Sequence, residues 1–253
     1  MRPSYFVKLG EQMTETLLQG NCLELLKEVK TNSIDMILAD LPYGMTANKW
    51  DSVIPLEPLW DQYMRIIKDH GVIALFGDEP FASELRLSNK KYYRYDWIWI
   101  KSRATGFLNA NRMPMKNTET ISIFYKHLPL YHPQITKGKP YKVSGGRPSI
   151  NYGHYNAECK ITNNKGTRYQ VKTIKFAKAK NAIHPTQKPV PLLQYLIKTY
   201  TDEGMTVLDN CMGSGSTGVA AKQLNRNFIG MELDPKYFGI AKKRIESAPI
   251  TLF

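Results

Sequence analysis

The stretch TVLDNCMGSGSTGVAAKQLNRNFIGMELD, residues 206–234, alternates apolar runs with a glycine loop. Its first apolar run ends in Asp209 and its second ends in Glu232, as expected for two buried strands. A loop with Gly213, Gly215 and Gly218 follows the first strand and opens a segment of helix-forming residues. Strand, glycine loop, helix and strand in this order predict a parallel β-α-β unit.

This unit has the pattern of a site for a nucleoside cofactor. Glycines let the backbone approach a ligand, a helix N-terminus offers free amides, and an acid at the next strand end accepts hydrogen bonds from ribose hydroxyls. The loop lacks the Gly-Lys-Ser/Thr of a phosphate-binding P-loop, which disfavours ATP. NAD(P) explains Glu232 but not a second motif, Asp-Leu-Pro-Tyr at residues 40–43, whereas S-adenosylmethionine explains both. We therefore predict S-adenosylmethionine as the cofactor, with a purely structural glycine turn as the alternative.

Similar patterns elsewhere in the chain predict a larger sheet. The predicted strands are residues 16–20, 34–39, 72–76, 95–100, 120–125, 206–209 and 228–232. The predicted helices are residues 21–29, 56–69, 80–88, 190–200, 216–224 and 235–247, with Asn21 capping the first and Gly71 ending the second. Alternating strands and helices favour one α/β domain with a doubly wound, mostly parallel sheet.

The positive charge is concentrated in one segment. The chain has 253 residues and a net charge of +13. Residues 127–182 hold eleven Lys or Arg and one acid, Glu158, with tyrosines interleaved, and regular periodicity fades there. Because Lys and Arg neutralise phosphates and aromatic rings stack on bases, this segment predicts nucleic-acid binding. A solvated basic loop is the alternative.

The remaining composition disfavours several classes of protein. No run approaches 18 apolar residues and the first residues lack the apolar centre of a signal peptide, so we expect a cytoplasmic protein without a membrane span. Cys22, Cys159 and Cys211 are odd in number and widely spaced, which argues against a disulfide framework or a zinc ribbon. His184 has no Cys or His partner at a suitable spacing, so no metal site is predicted.

Three motifs in one order resemble the amino-methylating DNA methyltransferases. These are the tetrapeptide at residues 40–43, HPTQKP at residues 184–189 and the glycine loop. Their order is similar to the beta arrangement of that family, and the resemblance spans residues 16–246. It implies a class I S-adenosylmethionine-dependent methyltransferase fold. It further implies a catalytic half at residues 1–126, an inserted target-recognition lobe at 127–182 and a cofactor-binding half at 183–253.

The resemblance also implies catalytic roles for Asp40, Leu41, Pro42 and Tyr43. An aromatic amine is a poor nucleophile because its lone pair is delocalised into the ring. The Asp40 carboxylate and the Leu41 carbonyl would accept its two hydrogens and direct the lone pair at the methyl group. Tyr43 would stack on a base flipped from the duplex, and Pro42 would fix the backbone. The family usually has proline at position 41, but the implied role there belongs to a carbonyl.

Further residues are implied as ligand contacts. The implied cofactor contacts are Asn21, Cys22, Asp40, Thr186, Lys188, Asp209, Met212, Gly213, Ser214, Gly215, Ser216, Glu232 and Leu233. The implied DNA contacts are Arg112, Lys116, Arg147, Arg168, Lys172, Lys175 and Lys178. Asn21 has a second interpretation as a helix cap, and the HPTQKP motif has a second interpretation as a turn before a helix.

Several interpretations of the function stay open. The leading Asp of the tetrapeptide favours the N6 amine of adenine in double-stranded DNA, and the N4 amine of cytosine is the first alternative. RNA or protein methylation and a non-catalytic DNA-binding protein of the same fold are further alternatives. A homodimer and a cognate restriction endonuclease are possible partners, and the family implies a prokaryotic or phage-encoded enzyme.

Overall fold

The computed structural model describes residues 14–44, 52–143, 162–179, 183 and 187–250. The chain divides into two compact units. The first combines Met1–His132 with Lys172–Phe253, and the second is Pro133–Val171.

A mostly parallel sheet forms the centre of the first unit. The described strands are β1 (Glu15–Gln19), β2 (Ile34–Ala39), β3 (Ile67–Gly77), β4 (Tyr93–Thr105), β5 (Lys116–Phe124), β6 (Thr136–Lys137), β7 (Tyr141–Val143), β8 (Thr162–Asn164), β9 (Thr167–Arg168), β10 (Thr173–Phe176), β11 (Thr206–Asp209) and β12 (Asn227–Glu232). Among the described residues, eight of these strands form one sheet in the order β1-β12-β11-β2-β3-β5-β4-β10. Every pairing in it is parallel except those of β5, which runs antiparallel to both β3 and β4.

Helices cover both faces of this sheet. The described helices are α1 (Cys22–Leu25), α2 (Leu56–Ile66), α3 (Phe81–Ser88), α4 (Val190–Tyr200), α5 (Ser216–Gln223) and α6 (Pro235–Glu246), with 3-10 turns at Leu26–Glu28 and Phe107–Asn109. On β2, Met36 and Leu38 pack in the same apolar cluster as α4, α5 and α6. Ile37 and Ala39 pack with α1, α2 and α3 in a second cluster. A strand buried on both faces must be apolar nearly throughout, and the predicted doubly wound α/β fold is confirmed.

Some element boundaries differ from the predicted ones. Helix α2 ends at Ile66 and not at residue 69, because Ile67 already pairs with Ile34 in the sheet. Gly71 therefore lies inside β3 and does not end the helix. A Cβ at Gly71 would meet the Ile67 side chain at 2.8 Å, so the close approach of neighbouring atoms explains the glycine. The predicted cap is correct, since the Asn21 side chain accepts a hydrogen bond from the Leu23 amide at 2.9 Å.

The short edge strand β10 was not predicted. It lies within residues 127–182, whose basic and irregular composition hides it. Ile174 is buried whereas Lys175 is exposed, so only a brief alternation marks the strand. Its parallel pairing with β4 adds residues 173–176 to the central sheet. The strands β4 and β5 are also longer than predicted and extend as a hairpin toward the turn between them.

The second unit contains two short antiparallel ladders. Strand β6 pairs with β9, and β7 pairs with β8. Arg168 joins them, because its guanidinium lies 4.6 Å from the Tyr141 ring centroid and donates to the Asn164 side chain at 2.9 Å. Within the described part of the chain, no helix has the length and apolar character needed to cross a membrane.

Two helical glycines provide a matched test of the packing between α5 and α6. A Cβ at Gly218 would lie 2.6 Å from the Phe228 ring and still closer to Ile245, whereas no described atom lies within 4 Å of a Cβ at Gly239. We expect Gly218→Ala to lower the free energy of unfolding by about 1–3 kcal/mol through overpacking. Gly239→Ala should leave it unchanged or raise it by about 0.5–1 kcal/mol through helix propensity. Urea unfolding followed by circular dichroism measures both, and equal stabilities of the two variants would contradict this account.

Candidate active site

A cavity of about 910 Å³ opens at the carboxyl edge of the central sheet. Asp40 follows β2, and β11 and β12 end in Asp209 and Glu232, so three strand ends bring carboxylates to the cavity. Strand β5 runs in the opposite direction, and Glu119 near its start therefore reaches the same edge. A crevice at the carboxyl ends of parallel strands is the usual place for ligands in doubly wound folds.

Four charged side chains alternate in sign along one wall of this cavity. The Lys188 ammonium lies 2.5 Å from Asp40 Oδ2 and 2.8 Å from Glu119 Oε1. The Lys101 ammonium lies 2.8 Å from Glu119 Oε2. Lys188 and Glu119 are both more than nine-tenths buried, and Lys188 also lies over the Phe76 ring. Each buried charge thus contacts an opposite charge. Such a contact offsets the free-energy cost of removing the charge from water.

Burial and these contacts change the pKa values of the network. Burial raises the pKa of Asp40, and the Lys188 charge offsets only part of this effect. Burial also acts on Glu119, but Lys188 and Lys101 outweigh it and lower the pKa of that carboxyl. The pKa of Lys188 is raised, because the two carboxylates outweigh its own burial. Of the two carboxylates, Asp40 is therefore the one whose affinity for a proton is increased by its surroundings.

Tyr43 completes the wall. Its hydroxyl donates to Asp40 Oδ1 at 2.6 Å and has Glu119 Oε1 as a second acceptor at 3.3 Å. Burial and the two nearby carboxylates raise the pKa of Tyr43 well above its ordinary value, so the hydroxyl stays a donor. The Tyr43 ring stacks on Phe81 with a centroid distance of 5.1 Å. Leu41 is 3% exposed and packs in the apolar cluster beneath, which explains an apolar side chain at this position.

The glycine loop forms another part of the cavity. The Glu232 carboxylate accepts hydrogen bonds from the Gly213 amide and the Asp234 amide, each at 2.8 Å. Gly213 has a φ of +52°, and no described atom lies within 4 Å of a Cβ placed there. Gly215 has a φ of +78°, and a Cβ there would lie 2.9 Å from Ala241. The first glycine thus leaves room beside the loop, and the second lets the loop pack against α6.

These residues suit a cationic nucleoside cofactor. The acids that line the cavity are Asp40, Asp78, Glu119, Asp209, Glu232 and Asp234, against the lysines Lys101, Lys178 and Lys188. An excess of carboxylates favours a ligand with positive charge. Among the described residues, no group of three or more His, Cys, Asp or Glu is arranged to hold a metal ion.

Asp209 and its neighbours form a buried polar cluster at the back of the cavity. Asp209 accepts a hydrogen bond from the Cys211 amide at 3.0 Å, and burial raises its pKa to about 7. The Tyr63 hydroxyl donates to the Asn210 side chain at 2.5 Å. The pKa of Cys22 is lowered to about 7, chiefly by a hydrogen bond with Cys211. The cluster ties α1, α2 and the end of β11 together.

Most residues that the sequence singles out meet in this one cavity. Those lining it are Asn21, Cys22, Asp40, Leu41, Pro42, Tyr43, Lys178, Lys188, Asp209, Met212, Gly213, Ser214, Ser216, Glu232 and Leu233. Gly215 lies behind the loop, and Thr186 falls outside the described residues. The Asn21 side-chain oxygen is engaged as the cap of α1, and Lys188 contacts Asp40 and Glu119.

The residues predicted to bind DNA are more dispersed. Arg112, Lys172 and Lys175 are exposed, and Lys116 lies 2.9 Å from Asp78 at the cavity rim. Arg168 belongs to the second unit, and Arg147 falls outside the described residues.

Three residues of the site were missed by sequence reasoning. Glu119 and Lys101 complete the charge network, and Arg244 donates from α6 to the Ser214 carbonyl and to the Ser214 hydroxyl at 2.9 Å. One signal was available for Glu119, because it is the only acid in the sequence between Asp96 and Glu158 and directly precedes the predicted strand at residues 120–125. Arg244 has no such signal, since it resembles any exposed helical arginine.

Comparisons with known proteins agree on a family. The family model of the N6/N4 methyltransferases, described as DNA methylase, matches residues 34–243. The Type II methyltransferase M.HpaI of Haemophilus parainfluenzae is 25% identical over 93% of this chain and 75% of its own length. The Type II methyltransferase M2.DpnII of Streptococcus pneumoniae is 26% identical over 91% of this chain and 89% of its own.

Solved structures share the fold. The M1.HpyAVI–SAM complex has a TM-score of 0.64 and 24% identity, covering 91% of this chain and all of the other. The cytosine-N4-specific PvuII DNA methyltransferase has a TM-score of 0.67 at 14% identity, covering 96% of this chain and 92% of its own.

The buried Asp209 predicts a pH-dependent stability. Its folded pKa of about 7 lies above the ordinary value of 3.8, so the folded chain holds this proton more tightly than the unfolded chain. The resulting stabilisation is complete at a pH below the ordinary pKa and is lost as the pH rises through the folded pKa. Asp209→Asn keeps an oxygen for the Cys211 amide but cannot titrate. We expect its free energy of unfolding to decline less than that of the wild type between about pH 5 and pH 8.

Urea titrations at several pH values measure this difference. Asp61→Asn, at an exposed position on α2, is the matched control and should follow the wild type. Parallel declines for wild type and Asp209→Asn would contradict the assignment.

Proposed function

Since the chain belongs to the N6/N4 DNA methylase family, we propose that it methylates the N6 amine of adenine in duplex DNA. The observation that carries the proposal is that two different groups of side chains line a single cavity. One wall holds Asp40 and Tyr43 beside Lys188, and another holds Gly213 and Glu232. The first suits an aromatic amine and the second suits the cofactor. S-adenosylmethionine supplies the methyl group as an electrophilic methylsulfonium.

Gly213, Glu232 and the start of α5 hold the cofactor in this proposal. The open side of Gly213 lets the ligand approach the backbone, and Glu232 lies at the strand end where ribose hydroxyls bind in related folds. Glu232 now accepts two backbone amides, and a carboxylate retains further acceptor positions for a diol.

Asp40 accepts a hydrogen of the target amine. Its Oδ2 is held by Lys188, and its Oδ1 bonds the Tyr43 hydroxyl. The amine replaces Tyr43 at Oδ1, and Glu119 offers the displaced hydroxyl its second acceptor at 3.3 Å. The Leu41 carbonyl accepts the other amine hydrogen. With both hydrogens held, the nitrogen lone pair is directed toward the methyl group.

Asp40 also takes the proton that the methylated amine must lose. Methylation would leave the amine nitrogen positively charged until one proton is lost. Burial raises the pKa of Asp40, so its carboxylate is a better proton acceptor than that of an exposed aspartate. Lys188 keeps the carboxylate ionised until then, since the two are in direct contact.

Tyr43 holds the flipped base by stacking. Phe81 backs the Tyr43 ring and fixes its plane, which leaves its orientation defined before the base arrives. Adenine is favoured over cytosine because the tetrapeptide begins with Asp, as in most adenine-specific relatives. Asp40, Tyr43 and Glu232 are all present and positioned, which supports an enzyme over a non-catalytic DNA-binding protein.

The first test is nucleoside mass spectrometry. Unmethylated plasmid DNA is incubated with the protein and isotopically labelled S-adenosylmethionine, then digested and searched for labelled nucleosides. We expect labelled N6-methyladenine. Labelled N4-methylcytosine would overturn the choice of base, and the absence of label from DNA would overturn the proposed activity.

Asp40→Ala serves as the negative control for this experiment. It removes the proposed acceptor and should lower the rate at least about 100-fold, because positioned acceptors of this kind contribute that much to a transition state. Its DNA affinity should stay near that of the wild type. Asp61→Ala, which removes an exposed carboxylate on α2, should retain full activity. Turnover by Asp40→Ala at the wild-type rate would refute the role of Asp40.

Lys172, Lys175 and Lys178 are proposed as phosphate contacts near the cavity. Lys172 and Lys175 are exposed, and Lys178 lines the cavity. Burial and the charge of Lys101 both lower the pKa of Lys178. Because each phosphate contact contributes about 0.9 to the slope of log K against log salt, the triple Lys→Gln variant should bind DNA more weakly and with a flatter slope.

Anisotropy titrations at several salt concentrations measure that slope. A triple Lys→Gln variant at Lys27, Lys30 and Lys243, which are exposed elsewhere, removes the same charge and is the matched control. An unchanged slope in the first variant, or an equal change in the control, would remove this segment from the interface.

A further inference from the structure

The turn between β4 and β5 presents apolar side chains to solvent. Phe107 is 78% exposed and Leu108 is 98% exposed, and Met113 and Met115 are exposed beside them. Single exposed apolar residues are ordinary, but four exposed apolar side chains at one hairpin turn are a local concentration that calls for a function. Aromatic and aliphatic side chains at a projecting tip are the kind that enter base steps in DNA.

The tip is held in one conformation. The Asn109 amide donates to the Gly106 carbonyl at 3.0 Å, and the Met113 amide donates to the Asn109 carbonyl at 3.0 Å. Gly106 has a φ of +88°, which other residues rarely adopt, so the glycine sets the direction of the turn. Thr105 pairs with Lys116 across the base of the turn. Phe107 and Leu108 are thus displayed by an ordered backbone.

The charge of the hairpin is of one sign. Residues 97–118 contain the basic residues Lys101, Arg103, Arg112 and Lys116 and no acid. Arg103, before Phe107 and Leu108 in the chain, and Arg112, after them, are both exposed. An apolar tip between cations is complementary to a base stack between phosphates, and a second copy of this basic surface would be repelled by it.

The same hairpin forms part of the catalytic cavity. Trp99, Lys101 and Thr105 of β4 and Glu119 of β5 line it. Because Thr105 is two residues from Phe107, the tip lies within about 7 Å of the cavity rim along the chain. A base that enters the cavity leaves a gap in the duplex, and the cavity rim faces that gap in this proposal.

We propose that Phe107 and Leu108 form a wedge that enters the DNA base stack beside the target and occupies the gap left by the flipped base. Arg103 and Arg112 hold the flanking phosphates. The wedge lowers the cost of flipping because apolar contacts replace lost stacking. This inference rests on the proposed methylation of duplex DNA, but it concerns DNA distortion and has a readout that is independent of methyl transfer.

The test compares two duplexes of the same sequence, one fully paired and one with a single abasic site that supplies a gap in advance. Fluorescence anisotropy should show the wild type binding the abasic duplex about tenfold more tightly, which is the scale of one stacking contact. Phe107→Ala/Leu108→Ala should bind the two duplexes equally. Phe107→Trp, which keeps an aromatic wedge, should retain the preference.

Leu87→Ala/Leu128→Ala is the matched control, because it removes two exposed leucines elsewhere in the same unit. It should keep the wild-type preference. Equal binding of both duplexes by the wild type, or an unchanged preference in Phe107→Ala/Leu108→Ala, would overturn the wedge. A loss of self-association in that variant with its duplex preference intact would also overturn it and assign the tip to contacts between copies.

Methylation of the same duplexes separates the two proposals. In one outcome, the wild type prefers the abasic duplex, Phe107→Ala/Leu108→Ala does not, and no methyl group is transferred. That outcome would support the wedge and refute the proposed function. Methyl transfer without the preference would support the function and refute the wedge.

Discussion

The contact of Lys188 with Asp40 and Glu119 is the constraint on which the rest of the site depends. The lysine precedes α4, and the two carboxylates come from the opposite half of the chain, with 148 positions separating Lys188 from Asp40. All of these groups are largely withdrawn from water, so each charge is tolerable only while its partners stay in place. This wall of the cavity therefore forms only when both halves of the sheet have come together. Folding and the assembly of the site are in this respect one event.

The antiparallel strand β5 makes this arrangement possible. In an all-parallel sheet, only strand ends and the loops after them reach the carboxyl edge. Because β5 enters from that edge, the early residue Glu119 lies beside Asp40 without any loop, and the residues after it continue into the core. A carboxylate on a paired strand is held more firmly than one on a loop. The reversed strand thus gives the ion-pair network a rigid member.

Sequence patterns predicted the family, the fold class, the six described helices and seven of the eight strands described in the central sheet, but not the short strands β6 to β9 of the second unit. The comparisons confirm the family. The patterns succeeded at β11, α4 and the Asn21 cap, where strand composition, helical spacing and capping chemistry are local properties. They failed at the end of α2, where pairing of Ile67 with Ile34 overrides a helical pattern. The ion pairs of Lys188 could not be predicted from local sequence patterns either, because a contact between distant segments changes the residue pattern of neither segment. The same reason hid β10, whose strand character comes from its neighbour β4.

One further consequence follows from the edge of the sheet formed by β1 and β12. The earliest and the latest described strands of the chain lie side by side, and the Phe228 amide even bonds the Thr14 carbonyl. The described part of the chain therefore returns, at its last strand, to the edge of the sheet that holds its first strand. When the first and last strands of a sheet are neighbours, a circular permutation that moves the start of the chain to another loop alters no pairing between strands. The order of the glycine loop and the tetrapeptide along the chain is then not fixed by the geometry of the cavity that both of them line.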